Sequence, residues 1–104
     1  MALLDLLGRR WLLRILWELR EAPLTFRALQ RRCEGVSPTV LNHRLRELRD
    51  AGIVQLERGE GYTLTPDGAQ LYRALTPLTQ WAGRWATRDV RPPQDRTETE
   101  GSRL

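Results

Sequence analysis

The middle of the chain carries its strongest helix signal, which constrains the fold more than any other feature. Ser37 can accept hydrogen bonds from the free amides of a first helical turn, and a proline at position 38 costs no hydrogen bond there. Three leucines follow at steps of four and three residues, which places them on one helical face. They are Leu41, Leu45 and Leu48. Because Gly52 ends the pattern, we predict a helix over residues 37–51 with one buried face.

A shorter helix precedes this one. Thr25 is a suitable N-cap for a helix over residues 26–32, and the glycine at Gly35 suits a left-handed backbone position after it. The two helices would then be joined by a tight turn over residues 33–36. Two helices in this arrangement predict a helix-turn-helix.

A small β-hairpin is predicted after the helix-turn-helix. Residues 53–58 and 62–64 have strand character, and the Gly-Glu-Gly run at 59–61 supplies the turn. Thr65 and the proline after it repeat the helix-start signal and open a last helix. Its apolar residues form a heptad-like stripe, widened by Tyr72 and Trp81. The stripe consists of Leu71, Leu75, Leu78, Ala82 and Trp85.

The first twenty residues are also apolar at helical spacing. Gly8 divides them into a short helix and a longer one, which ends before Pro23. The predicted fold class is therefore mainly α with a small β-hairpin, a winged helix-turn-helix with N- and C-terminal helices. We expect one domain over residues 1–87, and a disordered tail over residues 88–104, which are rich in Pro, Thr, Glu and Arg.

The placement of charge favours one class of partner. The chain of 104 residues has 17 basic residues, all of them arginine, against 13 acidic ones. Ten arginines and six acids fall in residues 1–52, an excess of +4, whereas residues 53–104 carry seven of each. Because arginine matches phosphate oxygens and guanine edges, this excess favours a nucleic-acid partner for the helix-turn-helix half.

Other function classes find little support in the sequence. The lone cysteine, Cys33, cannot form an intramolecular disulfide, and no apolar run is long enough for a signal peptide or a membrane span. We therefore expect a cytoplasmic protein with no membrane partner. The single histidine, His43, has no companion ligands that would predict a metal site, and no glycine-rich phosphate loop predicts a cofactor. An enzyme is not expected.

The predicted central helix presents a polar strip opposite its leucines. In that strip Arg46 can bind guanine in bidentate fashion, Asn42 can bind adenine, and Thr39 in the first turn can bond a base or a phosphate. The predicted DNA-contact residues, including phosphate contacts from the preceding helix and the hairpin, are Ser37, Thr39, Asn42, His43, Arg44, Arg46, Arg27, Arg31 and Arg58. Two alternatives stay open. In the first, the strip is only a solvated face whose arginines pair with nearby acids. In the second, the strip binds DNA but His43 makes no contact with it.

Four motifs together resemble the HxlR-type winged helix-turn-helix transcriptional regulators. The run LDLLGRRW at residues 4–11 is similar to the family's LDLIGGKW opening, and FRAL is similar to its F-x-x-L. VSPTVLNHRLREL at 36–48 is similar to ISPxxLxxRLxxL, and YTLTPDG at 62–68 is similar to YxLTxxG. An L-x-x-W stretch within residues 78–85 also agrees. The resemblance covers about residues 3–86.

The resemblance implies a bacterial homodimeric regulator, usually of nearby genes, whose first and last helices form the dimer interface. We expect it to act as a repressor. The heptad-like stripe points to a partner independently, because it exceeds what so short a chain easily buries. The predicted interface residues are Leu3, Leu7, Trp11, Leu71, Leu75, Leu78, Trp81 and Trp85. The expected partners are double-stranded DNA with a palindromic operator, a second copy of the chain and, where the regulator takes a signal, a small-molecule effector of unknown chemistry.

Two features depart from the family pattern. Redox-sensing members have a cysteine just before the first helix, whereas Cys33 lies elsewhere, so no thiol switch is expected. The hairpin is short, and Glu57 and Glu60 beside Arg58 would repel phosphate, which weakens the case for DNA contact there. The alternative function is a winged-helix protein-interaction module without DNA binding, which acidic dominance on the central helix would indicate. Residues 23–52 instead carry six arginines and three acids.

Overall fold

The structure is a computed structural model that describes residues 2–87. Its elements are α1 (Ala2–Leu7), α2 (Leu12–Glu18), α3 (Phe26–Arg32), α4 (Pro38–Asp50), β1 (Val54–Glu57), β2 (Gly61–Leu64) and α5 (Pro66–Ala86). The two strands form one antiparallel sheet. This order confirms the predicted class, mainly helical with one hairpin. The tail predicted to be disordered, residues 88–104, lies outside the described residues.

Side-chain caps fix where three of the helices begin. The hydroxyls of Thr25 and Ser37 each accept a hydrogen bond, at 3.1 Å, from the backbone amide three residues later. The hydroxyl of Thr65 accepts from the amide of Gly68 at 3.0 Å and donates to the carbonyl of Gly52 at 2.6 Å. The last bond ties the start of α5 to the end of α4. All three predicted start signals are therefore real caps.

The chain divides into two compact units, residues 1–74 and 75–104, which we describe separately. The first unit holds the helix-turn-helix, the hairpin and the start of α5, and its core comes from α2, α3, α4 and β1. The buried core residues are Leu12, Ile15, Leu16, Leu19, Leu29, Cys33, Val36, Leu41, Leu45, Leu48, Ile53 and Val54. The single domain predicted over residues 1–87 stays a prediction. No helix within residues 2–87 is long and apolar enough to cross a membrane.

The first strand of the hairpin is shorter than predicted, and a third segment pairs with the second strand. Ile53 lies outside β1 because its amide bonds to the carbonyl of Leu48 at the end of α4, at 2.9 Å. Residues 58–60 form the turn. Leu24, before α3, forms a bridge with Tyr62 of β2: the two residues exchange backbone hydrogen bonds of 3.0 and 2.7 Å. This bridge fastens the hairpin to the helix-turn-helix.

Candidate nucleic-acid interface

Helix α4 turns its leucines inward and its polar side chains outward, as its periodicity predicts. Leu41, Leu45 and Leu48 are each at most 1% exposed. The exposed residues at the start of this helix and along its outer side are Ser37, Pro38, Thr39, Asn42, His43, Arg46, Arg49 and Asp50. The structure thus brings five of the predicted DNA-contact residues, including Arg46, onto one surface, which we call the polar face of α4.

The arginines in the second half of α4 are not neutralised by acids on the same helix. Within residues 2–87, neither Arg46 nor Arg49 forms an ion pair. Both line a cleft between α4 and β2 together with Asn42, Asp50 and Tyr62. Arg49 was not among the predicted contacts, although its position three residues after Arg46 on a helix is the signal that places both on one side.

Glu47 lies on the flank of α4, where it lines a cleft with Thr39 and His43 of the polar face. Its Oε1 accepts a hydrogen bond from Nη1 of Arg44 at 2.9 Å, and its Oε2 lies 3.2 Å from Nε of Arg9. Nε of Arg44 also donates to the carbonyl of Arg10 at 3.0 Å. We call Arg9, Arg44 and Glu47 the arginine–glutamate cluster. The guanidinium of Arg44 is thus hydrogen-bonded to the α1–α2 junction. Its predicted contact with phosphate stays a prediction.

The other predicted contacts come from α3 and the hairpin. Arg27 and Arg31 are exposed on α3, and Arg58 is exposed in the hairpin turn. Glu57 and Glu60 beside it are exposed as well, so the hairpin tip carries more acid than base, as the sequence predicts. The structure brings the basic residues to α3 and α4 and leaves the hairpin without an excess of positive charge.

A second set of ionic contacts fastens α3 to α2. Nε of Arg14 donates to Oε2 of Glu18 at 2.8 Å, and its Nη2 donates to the carbonyl of Arg32 at 2.7 Å. Nη1 of Arg32 lies 3.7 Å from Glu18 as well. The hydrogen bond to Glu18 raises the pKa of Arg14 above its usual value. These contacts tie the end of α3 to α2.

Cys33 lies in the turn between α3 and α4 and is completely buried. Burial raises the pKa of its thiol. Since the thiolate is the reactive form, both its inaccessibility and this shift disfavour oxidation of Cys33 in the folded protein. Among residues 2–87, no three His, Cys, Asp or Glu side chains converge into a metal site.

The predicted interface residues of the first unit differ in their exposure. Helix α1 buries none of its residues, and Leu3 is 41% exposed, whereas Leu7 and Leu71 are partly buried. Trp11 adopts a left-handed backbone with φ 76°, which costs a residue with a Cβ about 1–2 kcal/mol. Its ring lies close to the turn of its own helix-turn-helix: a Cβ built on Gly35 would be 3.8 Å from the ring.

In the second unit, the described part of α5 exposes large apolar side chains. Leu78 is 56% exposed and Trp81 is 50% exposed, while Leu75 and Trp85 are partly buried. The indole rings of Trp81 and Trp85 stack with their centroids 6.0 Å apart and their planes 11° from parallel. A stacked aromatic pair beside the exposed Leu78 is the kind of surface that a partner chain covers.

Comparison with known proteins agrees with this geometry. The family model described as HxlR-like helix-turn-helix matches residues 6–90. The HTH-type transcriptional regulator MJ0925 of Methanocaldococcus jannaschii is 27% identical over 82% of this chain and 83% of its own length. The regulator YvaP of Bacillus subtilis is 31% identical over 78% of this chain and 81% of its own length. The crystal structure of a possible HxlR family transcriptional factor from Thermoplasma volcanium superposes with a TM-score of 0.76 at 27% identity, covering 85% of this chain and 84% of that one.

Proposed function

Because the chain belongs to the HxlR-like helix-turn-helix family of transcriptional regulators, we propose that it represses transcription as a homodimer bound to a palindromic operator. The observation that carries this proposal is the polar face of α4. It presents hydrogen-bonding side chains and two arginines, Arg46 and Arg49, that form no ion pair within residues 2–87. Binding to chromosomal DNA would place the protein in the cytoplasm.

The chemistry of the polar face suits the edges of base pairs in the major groove. A guanidinium such as that of Arg46 can donate two parallel hydrogen bonds to guanine, and the carboxamide of Asn42 can pair with adenine in the same way. Thr39 lies in the first turn of α4, where the positive end of the helix dipole also favours a phosphate. In this proposal α4 is the recognition helix, and Arg27 and Arg31 of α3 contact the backbone.

The pairing of Glu47 with Arg9 and Arg44 lessens the negative charge beside the polar face. An unpaired carboxylate at this position would repel phosphates. The arginine–glutamate cluster instead holds the carboxylate between Arg9 and Arg44. The six arginines and three acids of residues 23–52 also speak against the alternative of a protein-interaction module, for which acidic dominance on α4 would be expected.

We expect Arg46→Ala to weaken binding to the preferred operator by about 1–3 kcal/mol, roughly 5- to 150-fold, because a bidentate base contact is lost. The operator is first enriched by the wild-type protein from a pool of random duplexes, and binding is then measured by fluorescence anisotropy. The matched control is Arg73→Ala, which removes an exposed arginine of α5. Thermal unfolding checks that both variants remain folded.

Two outcomes would contradict this proposal. If the wild-type protein enriches no sequence and shows no salt-dependent binding to duplex DNA, the protein does not act on DNA. If an operator is enriched but Arg46→Ala binds it as tightly as Arg73→Ala, the assignment of the polar face of α4 as the reading surface is wrong.

The homodimer is supported by exposed apolar residues of the first and last helices, Leu3 and Leu4 of α1 and Leu78 and Trp81 of α5. A two-fold dimer would present two recognition helices to half-sites about one turn of DNA apart. We expect sedimentation velocity to show a dimer at micromolar concentration, and Leu78→Glu to shift it towards monomer because it buries an unpaired charge. Leu56→Glu, at an exposed leucine of the hairpin, is the control. A wild-type protein that sediments as a monomer would exclude this assembly.

A further inference from the structure

The junction between α1 and α2, residues 8–11, places a cationic side chain beside the polar face of α4. Arg9 lines a cleft together with Thr39 and His43, two exposed residues of that face, and with the other members of the arginine–glutamate cluster. Its side chain remains 51% exposed although it is ion-paired. Arg9 lies far from α4 in the sequence, so helical periodicity gives no sign of this neighbourhood.

The arginine–glutamate cluster has a net positive charge. It holds two guanidinium groups and a single carboxylate, and the carboxylate of Glu47 interacts with both. Arg44 is directed inward: its side chain is 20% exposed, and it donates to Glu47 and to the carbonyl of Arg10. The unneutralised charge therefore falls on the exposed member of the cluster, Arg9.

The guanidinium of Arg9 also retains free hydrogen-bond donors. Its Nε lies 3.2 Å from Oε2 of Glu47. Within residues 2–87, its two terminal nitrogens have no hydrogen-bond partner. A guanidinium held at one edge and free at the other is prearranged for an oxyanion, since its N–H groups match two oxygens of one phosphate.

We propose that Arg9, whose Nε lies 3.2 Å from Glu47, binds a phosphate of the DNA backbone on the flank of α4. This inference rests on the proposed function, because it requires the polar face of α4 to lie against DNA. Contacts to phosphate set the register of a protein on the duplex and carry no sequence information themselves. Arg9 would therefore fix how far α4 enters the groove, while Arg46 and Asn42 read the bases.

The test compares Arg9→Gln with Arg73→Gln, which removes the same charge from an exposed position on α5. Dissociation constants are measured by anisotropy over a series of salt concentrations, with the enriched operator and with a scrambled duplex of the same length. Loss of one phosphate contact should reduce the slope of log K against log salt by about 0.9 on both duplexes. Arg9→Lys, which keeps the charge, should keep the slope.

Glutamine at position 9 should not prevent folding, since Glu47 keeps its hydrogen bond from Arg44 at 2.9 Å. Thermal unfolding checks this, and Arg9→Ala, with the same expected loss of slope, is the second variant. If both variants keep the wild-type slope while the wild-type protein binds its operator, Arg9 has only a structural role and the inference is overturned. Failure of the wild-type protein to bind any duplex would instead overturn the proposed function.

Discussion

Gly68→Ala is expected to lower the free energy of unfolding of the first unit by about 2–3 kcal/mol, a large effect for the addition of one methyl group. Gly68 is buried in the first turn of α5, and a Cβ on it would overlap the backbone carbonyl oxygen of Ile53. That carbonyl cannot move freely, because it accepts the backbone hydrogen bond of Thr65 at 3.0 Å. The first turn of α5 would have to move away from Ile53.

The control for this substitution lies on the same helix. Gly83 is also in α5, and nothing lies within 4 Å of a Cβ built there. Helix propensity alone favours alanine over glycine by about 0.5–1 kcal/mol, so Gly83→Ala should be neutral or slightly stabilising. Urea unfolding followed by circular dichroism measures both variants. Equal stabilities for the two would show that the contact between Gly68 and Ile53 does not restrict residue size.

Gly61→Ala is expected to destabilise the first unit by about 3 kcal/mol, through two separate effects. Gly61 begins β2 with φ 113°, a conformation that residues with a Cβ rarely adopt. A Cβ there would also overlap the backbone of Leu24, whose carbonyl accepts the amide of Tyr62. The substitution therefore strains the chain locally and opens the bridge that fastens the hairpin.

Gly59 in the same hairpin separates these two effects. It has φ 81°, but nothing lies within 4 Å of a Cβ built on it. Gly59→Ala should carry the cost of the backbone conformation alone, about 1–2 kcal/mol. Urea unfolding of the two variants is again the measurement. If Gly59→Ala costs as much as Gly61→Ala, the close approach of Leu24 contributes nothing to stability.

Local signals in the sequence predicted most of this fold because they act within a few residues. The caps at Thr25, Ser37 and Thr65 and the buried leucines of α4 depend only on hydrogen bonds and on helical periodicity. The polar face of α4 follows from the same periodicity. Its exposure was therefore predictable, residue by residue, before any tertiary contact was known.

Apart from Arg49, the features that were not predicted depend on contacts between distant segments. Nothing near Leu24 indicates that it bridges to Tyr62, and nothing near Arg44 indicates that Arg10 accepts its hydrogen bond. Periodicity places Arg44 on the flank of α4, but it does not tell whether a residue there faces solvent or packs against another segment. The left-handed backbone of Trp11 is likewise set by its tertiary surroundings, since its own side chain disfavours it.

The bridge between Leu24 and Tyr62 has a consequence for how the protein comes apart. A two-stranded hairpin is marginally stable by itself, and here its second strand shares both bridge hydrogen bonds with the segment that leads into α3. The hairpin and the helix-turn-helix should therefore gain and lose their structure together, as one cooperative unit. We therefore expect no stage of unfolding in which α4 remains intact beside a detached hairpin.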